Sequence, residues 1–352
     1  MNAFDQIFVD SEGTRVREPR VWARVALTAR TTAEDGMDLK LYRSVDVHDP
    51  ARLPSVETLG LWADTLGADL AVLRAAPKGD PWSGPVILRG RAAGVFIHEV
   101  LGHRVEGHRQ KDEKEGQTFR DMIGKQLLPT TISIVDDPNV AQLAGHDLNG
   151  HYAFDEEGQP ARKAVLVDNG VFRGFLMGRS PIEGFAQSNG HGRAQMGRAP
   201  QARMANTIVE TTDPVPYALL RSQLLAEVRR QGLSYGIIVD ELAGGFAMTK
   251  RVGTNAFSIL ALSAWRVYPD GRPDELIRGI DLVGTPLAAL GNVLAAGDDP
   301  GVFNGWCGAA SGSVPNAAVS PSLLIRTLEL QRKDKGENRP PLLPRPDTRE
   351  GS

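Results

Sequence analysis

A chain of 352 residues with 41% apolar residues has room for two domains, or for one large one, and can bury an ordinary core. Its 40 basic and 43 acidic residues are spread along the chain and leave a net charge of -3, which argues against nucleic acid or an anionic membrane as the main partner. The amino terminus lacks the pattern of a signal peptide, no segment approaches the roughly 20 apolar residues of a membrane span, and Cys307 is the only cysteine. We therefore expect a soluble, cytoplasmic protein without an internal disulfide.

The first part of the chain predicts a small α/β lobe over residues 1–84. The stretches VWARVALTAR and LKLYRSVDV look extended, and SVETLGLWADTLGADLAVLRAA carries apolar residues at helical spacing. PVILRG, at 85–90, predicts a short apolar strand that leads into a buried helix over RAAGVFIHEVLGHRVEG. Residues 85–127 therefore form a second region, which carries two histidines of interest.

Residues 128–332 have mainly strand character. TTISIVDD predicts a strand, and turn residues at 168–170 and at 269–271 predict two hairpins. Two helices are predicted within this region, over TDPVPYALLRSQLLAEVRRQG and over TPLAALGNVLAAG, the second with Thr285 as N-cap and Pro286 at its first position. The fold class is therefore α+β, with a larger C-terminal domain rich in antiparallel β-sheet. The charged, Pro-rich tail 333–352 is predicted to be disordered.

His98, Glu99 and His103 form an HExxxH sequence, one residue longer than the HExxH helix of common zinc peptidases. Five positions of a regular α-helix rotate by roughly 140°, so the two histidines would not share a face. They converge only if the helix widens by a π-bulge or ends between them, and Gly102 makes such a distortion cheap. The alternative is that both are partly buried polar residues of an amphipathic helix.

A catalytic zinc ion usually takes three protein ligands and keeps one position open for water. Thiolate is among its favoured ligands, and Cys307, in FNGWCGAASGS, is the only thiol in the chain. The alternative for a lone cysteine is a small buried apolar residue, which is the more common case. Residue types alone therefore leave the third ligand open.

The segment HEVLGHRVEGHRQK, at 98–111, resembles the HExxGHxLEGD motif of the TldD/PmbA family. Further blocks match the family in the same order, and together they span residues 85–326. These blocks are FDEEGQPARKAVLVDNGVFRGFL, SNGHGRAQ with QARMANTIVE, ELAGGFAMT, and WCGAASGSVPNAAVSPSLLI. The resemblance implies one Zn²⁺ per chain, held by His98, His103 and Cys307, with Glu99 as general base.

The same resemblance implies a metal-bearing, TldD-like subunit that forms a homodimer, or a heterodimer with a metal-free sister subunit, around an extended peptide substrate. Three departures from the family pattern are visible. The N-terminal domain is shortened, His108 stands where the family usually has aspartate, and AASGS follows Gly308 in place of a run that contains lysine and glutamine. These departures concern subunit pairing, hydrogen bonding near the metal and contacts with the substrate.

Other polar residues have more than one interpretation. Glu106, three residues after His103, is predicted to orient a ligand histidine, and an ordinary exposed glutamate is the alternative. Five residues around the SNGHGRA loop could bind the peptide backbone or a terminal carboxylate, with a solvated turn as the alternative. They are Asn189, His191, Arg193, Arg203 and Asn206.

Gly244 and Gly245 would let a substrate strand pair alongside, unless they form a plain bulge or turn. His146, Asp147 and His151 superficially suggest another metal site. A short Gly/Asn-rich link between strands is the commoner origin of such a cluster, and we favour it.

The sequence therefore predicts a zinc-dependent peptidase that hydrolyses unfolded or extended peptides, either to degrade them or to trim leader segments. The alternative is a non-catalytic peptide-binding or scaffolding subunit of a TldD/PmbA-type complex. Direct modulation of DNA gyrase would call for a basic surface or for acidic mimicry, and the near-neutral charge supports neither.

Overall fold

A computed structural model of the protein describes residues 1–111, 114–115, 117–247, 249 and 256–333. Its strands are β1 Asn2–Val9, β2 Arg15–Thr32, β3 Asp38–Val47, β4 Trp82–Leu88, β5 Ile132–Asp136, β6 Gln142–Leu143, β7 His146–Asp147, β8 Ala164–Asp168, β9 Val171–Phe172, β10 Gly192–Arg193, β11 Gln201–Ala202, β12 Asn206–Thr211, β13 Gly236–Ala247, β14 Phe257–Val267, β15 Glu275–Ile277, β16 Ile280–Gly284, β17 Val293–Ala296, β18 Gly301–Ala309, β19 Gly312–Ser320 and β20 Leu323–Arg332. Its α-helices are α1 Val56–Ala75, α2 Gly90–Val100, α3 Tyr217–Arg230 and α4 Pro286–Gly291.

The N-terminal lobe is an antiparallel meander of β1, β2 and β3, covered by α1. Tight turns join its neighbouring strands, and Gly13 and Gly36 take positive φ values of 92° and 81° in them. Helix α1 begins at the N-cap Ser55, whose hydroxyl accepts the N–H of Thr58. The two predicted strands and the predicted helix are confirmed, and the lobe has one further strand, β1, that the sequence did not predict.

The larger part of the molecule contains a closed barrel and a separate sheet. The barrel runs β13-β4-β20-β16-β14, and β14 pairs back to β13, so the five strands close on themselves. The second sheet has six strands in the order β18-β19-β12-β5-β8-β9. Apart from the parallel pairs β4–β13 and β12–β19, the pairings are antiparallel. This confirms the α+β class and the antiparallel C-terminal region.

Helix α2 lies between the barrel and the six-stranded sheet, and every residue of it except Arg91 is buried. Two glycines let its backbone approach the sheet closely. A Cβ at Gly94 would lie 2.9 Å from the carbonyl oxygen of Ala318 on β19, and one at Gly90 would lie 2.6 Å from the amide nitrogen of Gly301 on β18. Helix α2 therefore packs closely against β18 and β19.

The hairpin predicted at 168–170 is present, with positive φ at both Asn169 and Gly170, as a type I′ turn requires. The predicted helix TPLAALGNVLAAG is wrong in its second half. Helix α4 stops at Gly291, and Val293–Ala296 forms β17, which pairs with β20. A short apolar run cannot by periodicity tell a helical turn from a strand, and here the neighbouring strand decides.

The predicted disordered tail lies, from residue 334 onward, outside the described residues. No helix in the described part of the chain is both long and apolar enough to cross a membrane.

Candidate metal centre

The histidines of HExxxH converge because the helix ends between them. Helix α2 stops at Val100, Leu101 is its C-cap, and a separate 3₁₀ turn over Gly102–Arg104 carries His103. The rings of His98 and His103 lie 4.9 Å apart between centroids, at 85° to each other. Of the two distortions that the spacing allowed, the structure has the helix end.

Gly102 makes this turn possible through the absence of a side chain. A Cβ at this position would lie 2.0 Å from the Sδ atom of Met204, which is itself 1% exposed. The turn that carries His103 therefore packs directly on a buried methionine.

Cys307 reaches the same place from a distant part of the chain. It lies on β18 with a 6% exposed side chain, and its neighbour Trp306 is 41% exposed, as expected when successive strand residues point to opposite faces. The Cys307 Sγ atom is 3.4 Å from Nε2 of His103, across a sequence separation of 204 residues. The potential ligand atoms of His98, His103 and Cys307 all lie within 4.8 Å of one another.

This donor set fits a zinc ion. In a tetrahedral site with ordinary Zn–N and Zn–S bond lengths, a nitrogen and a sulfur ligand are about 3.6 Å apart, close to the 3.4 Å between Nε2 of His103 and Sγ of Cys307. Two imidazoles and one thiolate also leave the fourth position for water, as in catalytic sites. No second group of three close metal-ligating side chains occurs among the residues that the structure describes.

The protonation states of these side chains suit a cation. Burial disfavours the charged form of His103, yet the Cys307 thiolate and the Glu106 carboxylate raise the pKa of its imidazole. Burial likewise opposes the Cys307 thiolate, but the rings of His98 and His103 lower its pKa well below the usual range. A thiolate next to an imidazolium is a site in which a metal ion can replace a proton.

Glu106 is fully buried, and the structure places it against His103. Its Oε1 atom lies 3.2 Å from Nδ1 of His103, while Arg109 donates to Oε2 at 2.8 Å and Arg203 donates to Oε1 at 3.1 Å. Burial alone would raise the pKa of the Glu106 carboxyl, but His103 and the two arginines hold it well below its usual range. The alternative of an exposed glutamate is wrong, and the role of Glu106 in orienting His103 stays a prediction.

Asn316 contacts the other histidine, and the sequence reasoning did not single it out. Its Nδ2 atom lies 3.0 Å from Nδ1 of His98, and the side chain is 1% exposed. Asn316 lies in the segment GSVPNAAVS, within one of the blocks that carried the family resemblance. That block was the available signal, but nothing in it distinguished this asparagine.

One of the candidate ligands, His103, borders an open cleft of about 320 Å³. The cleft is lined by Glu99, His103, His108, Arg109, Glu115, Gln201, Ala247, Thr249, Gly308, Ala309 and Ala310. The predicted base, Glu99, is 6% exposed and follows His98 directly, so the candidate base and a candidate ligand share one wall. Burial lowers the pKa of His108, so its ring adds no positive charge to the cleft at neutral pH.

The residues predicted around the SNGHGRA loop lie behind this wall. His191, Arg193, Arg203 and Asn206 are 0% exposed, so they offer no surface to a peptide in this conformation. Asn189 is only partly buried, but its amide is used by the backbone N–H of Met177 and the backbone carbonyl of Phe175. The idea of a solvated turn does not describe them either, because their contacts are those of interior groups.

The buried members of this set bond mainly to protein groups. Arg193 donates to the carbonyls of Met204 and Pro315, and His191 faces the carboxylate of Asp136 at 3.1 Å. Asn206 accepts the N–H of Gly150 and donates to the carbonyls of Asp137 and Val140. A direct contact between substrate and these side chains remains a prediction without support from their positions.

Gly244 lies in a bulge of β13, with φ of 101°, where the register with β14 shifts, and Gly245 pairs with Ile259. The interpretation of Gly244 and Gly245 as a bulge therefore describes the structure. In GHDLNGH, the Asp147 carboxylate accepts hydrogen bonds from Arg52, Gln142 and the backbone of His48, as a structural link would.

Comparison with known proteins agrees with this site. A model of the PmbA/TldA metallopeptidase C-terminal domain matches residues 82–332. The chain therefore belongs to the PmbA/TldD metallopeptidase family.

Individual relatives point the same way. The chain is 29% identical over 328 residues to a metalloprotease of Methanothermobacter thermautotrophicus, covering 91% of this chain and 65% of that protein. It is 24% identical over 248 residues to a zinc metalloprotease TldD homolog of Saccharolobus solfataricus, covering 70% of this chain and 51% of the relative. The chain thus spans between about half and two thirds of these proteins.

Among solved structures, TldE from Thermococcus kodakarensis has a similar fold, with a TM-score of 0.64 at 16% identity, covering 91% of this chain and 65% of that one.

Proposed function

We propose that this chain is the metal-bearing, catalytic part of a zinc peptidase that hydrolyses unfolded or extended peptides. The observation that carries the proposal is the convergence of His98, His103 and Cys307 within 4.8 Å, beside a cleft that His103 and Glu99 line. Relatives named metalloprotease, one of them a zinc metalloprotease, support this class of reaction. Since those proteins are longer than this chain, the activity of the whole molecule is part of the proposal.

One zinc ion at these ligands would lower the pKa of a water molecule and polarise the peptide carbonyl. Glu99 then accepts the proton of the attacking water and delivers it to the departing amine, which is general acid–base catalysis by one carboxylate. Glu106 accepts the N–H of His103 at Nδ1 and so keeps Nε2 directed toward Cys307.

The Asn316 amide has the matching role at Nδ1 of His98. A neutral histidine that binds a metal through one ring nitrogen donates an N–H from the other. In the structure Nδ2 of Asn316 lies 3.0 Å from Nδ1 of His98, and the same amide in its flipped orientation would present Oδ1 to that N–H.

The shape of the cleft favours an extended substrate. In the described part of the chain β18 pairs only with β19, so its other edge has no strand partner, and Gly308 and Ala309 of β18 line the cleft. A Cβ added at Gly308 would meet no atom within 4 Å, which leaves open space along this edge. An extended peptide can add to such an edge through main-chain hydrogen bonds, largely independently of its sequence.

The test combines one variant with one control. In Glu99→Gln we expect full zinc content and loss of peptide hydrolysis by about 100-fold or more, because the base is removed and the ligands remain. Glu241→Gln changes a partly buried glutamate that does not line the cleft, and it should keep both zinc and hydrolysis. An unfolded peptide mixture read by mass spectrometry gives the products, and elemental analysis gives the zinc.

Two outcomes would contradict the proposal. Cleavage that persists in Glu99→Gln would remove Glu99 from the mechanism. Zinc-loaded wild-type chain that yields no product, alone or together with a metal-free TldE-like protein, would favour the non-catalytic scaffolding subunit instead.

A further inference from the structure

The strongest unassigned feature is the set of contacts made by Arg203. This residue follows β11 directly, is 0% exposed, and its backbone N–H donates to the carbonyl of His191 at 2.9 Å. Every nitrogen of its guanidinium donates a hydrogen bond. Nε donates to Oε1 of Glu106 at 3.1 Å, and Nη2 donates to the backbone carbonyl of Cys307 at 2.6 Å.

The remaining nitrogen, Nη1, is hydrogen-bonded to the turn after β18. Nη1 donates to Oγ of Ser311 at 2.9 Å and to the carbonyl of Gly312 at 3.1 Å. One planar group thus contacts the carboxylate behind His103 on one side, and the backbone of Cys307 with its following turn on the other. Because the guanidinium is rigid, its two sides cannot move independently.

Charge neutralisation alone does not account for this arrangement. Glu106 already pairs with Arg109 at 2.8 Å, so a second arginine is not needed to balance one carboxylate. Burying a guanidinium is costly unless each of its donors finds an acceptor. Arg203 meets this condition because Glu106, the Cys307 and Gly312 carbonyls and the Ser311 hydroxyl together accept from all three of its guanidinium nitrogens.

We propose that Arg203 is a positioning residue that fixes the distance between His103 and Cys307, so that imidazole and thiolate meet a metal ion in one geometry. The inference rests on the proposed metal centre. The sequence suggested that Arg203 binds the peptide directly. Its side chain is 0% exposed, so we replace direct binding by an indirect effect through the residues to which Arg203 is hydrogen-bonded.

The test is Arg203→Lys in the full chain, loaded with Co²⁺, whose absorption reports thiolate ligation and coordination geometry. Lysine keeps the positive charge next to Glu106 but cannot reach all of the acceptors of the fork. We expect affinity for Co²⁺ and Zn²⁺ to fall by about 10- to 100-fold, the range typical when groups that orient metal ligands are replaced. We also expect a weaker or shifted thiolate-to-Co²⁺ charge-transfer band.

Arg278→Lys is the matched control. Arg278 is also a buried arginine, 9% exposed, that joins a carboxylate and a backbone carbonyl, those of Asp35 and Ala76. The Arg278→Lys variant should have the wild-type Co²⁺ spectrum and a metal affinity within about twofold of wild type, since none of the hydrogen bonds of Arg278 involves the metal centre. Thermal unfolding of the metal-free proteins compares their folding.

Arg203→Lys with wild-type affinity and an unchanged band would overturn the inference. So would equal loss of affinity in both lysine variants, since a general loosening of the fold would then explain it. If Arg203→Lys does not fold, Ser311→Ala removes one acceptor without leaving a buried charge, and it should shift the band in the same direction by less. An unchanged band in Ser311→Ala would then refute the inference.

Failure of the proposed function looks different. Wild-type chain without any thiolate-to-Co²⁺ band would overturn the metal centre and the role of Arg203 together. A normal wild-type band that Arg203→Lys does not alter would overturn the role of Arg203 alone.

Discussion

The substitution Gly102→Ala tests how the helix end positions His103. The new Cβ would lie 2.0 Å from Sδ of Met204, 3.0 Å from its Cε and 3.4 Å from its Cγ. Nonbonded contacts of this kind settle at roughly 3.5–4.0 Å, so the turn and the methionine must separate by more than about 1 Å. Met204 is 1% exposed, so its thioether can yield only by repacking the interior, and we expect the turn that carries His103 to take part of the displacement.

Overpacking of this size costs about 1–3 kcal/mol. For a large domain we therefore expect the thermal midpoint of the metal-free protein to fall by roughly 4–8 °C, taking about 2 kcal/mol as the central value. Zinc affinity, measured by competition with a chelator, should fall as well, because His103 follows the altered residue directly. Gly60→Ala, on the exposed side of α1 with nothing within 4 Å of the new Cβ, should be neutral or slightly stabilising.

A double mutant isolates the clash. In a Met204→Ala background the colliding Sδ is gone, so adding Gly102→Ala should cost less than about 0.5 kcal/mol beyond the loss from Met204→Ala itself. If Gly102→Ala matches wild type in both thermal midpoint and zinc affinity, close packing of the turn does not position His103, and the reasoning is wrong.

Two further substitutions test separate parts of the structure. Cys307→Ser should lower zinc affinity by at least about 100-fold in the chelator assay, because an alcohol is a far poorer zinc ligand than the thiolate, and retention of stoichiometric tight zinc would exclude the sulfur as a ligand. Lys78, Arg278 and the backbone N–H of Met37 stabilise the Asp35 carboxylate more than burial destabilises it, and they lower its pKa to about 2. Asp35→Asn should therefore destabilise the fold at pH 7 by about 1–2 kcal/mol, a value reduced to allow for the partial exposure of the carboxylate. A carboxyl group whose pKa is lower in the folded than in the unfolded state adds stability above its unfolded value, near 3.8, and loses it as pH falls toward 2. The difference between wild type and Asp35→Asn in urea unfolding should therefore shrink from pH 5 to pH 2, and a constant difference would show that the ionised carboxylate is not what stabilises this contact.

The sequence predicted those features of the molecule that follow from local pattern. The strands of the lobe and α1 follow from periodicity, and the hairpin at Asn169 and Gly170 follows from residues that tolerate positive φ. Helix geometry shows that His98 and His103 can meet only if the helix is distorted between them, since a five-residue spacing does not place two side chains on one face. The sequence left a π-bulge and a helix end equally open, and the structure has the helix end.

Other features depend on partners far away in the chain. Arg203 and Glu106 are 97 residues apart, and a buried ion pair of this kind has the same composition as two surface charges. His191 and Asn206 resembled a polar loop for the same reason, because residue type predicts exposure only on average. Asn316 could not be chosen among its neighbours without knowing that its strand passes behind His98.

The closed barrel sets an order for how the metal centre forms. Strand β4, which leads directly into α2, lies between β13 and β20, and β20 ends only at Arg332. The barrel can therefore close around the amino end of α2 only after β20 has left the ribosome, and Cys307 is itself synthesised more than 200 residues after His98. Incomplete translation products that end before β20 lack one strand of the barrel. Such a fragment should therefore not present an assembled cluster of His98, His103 and Cys307 to the peptides around it.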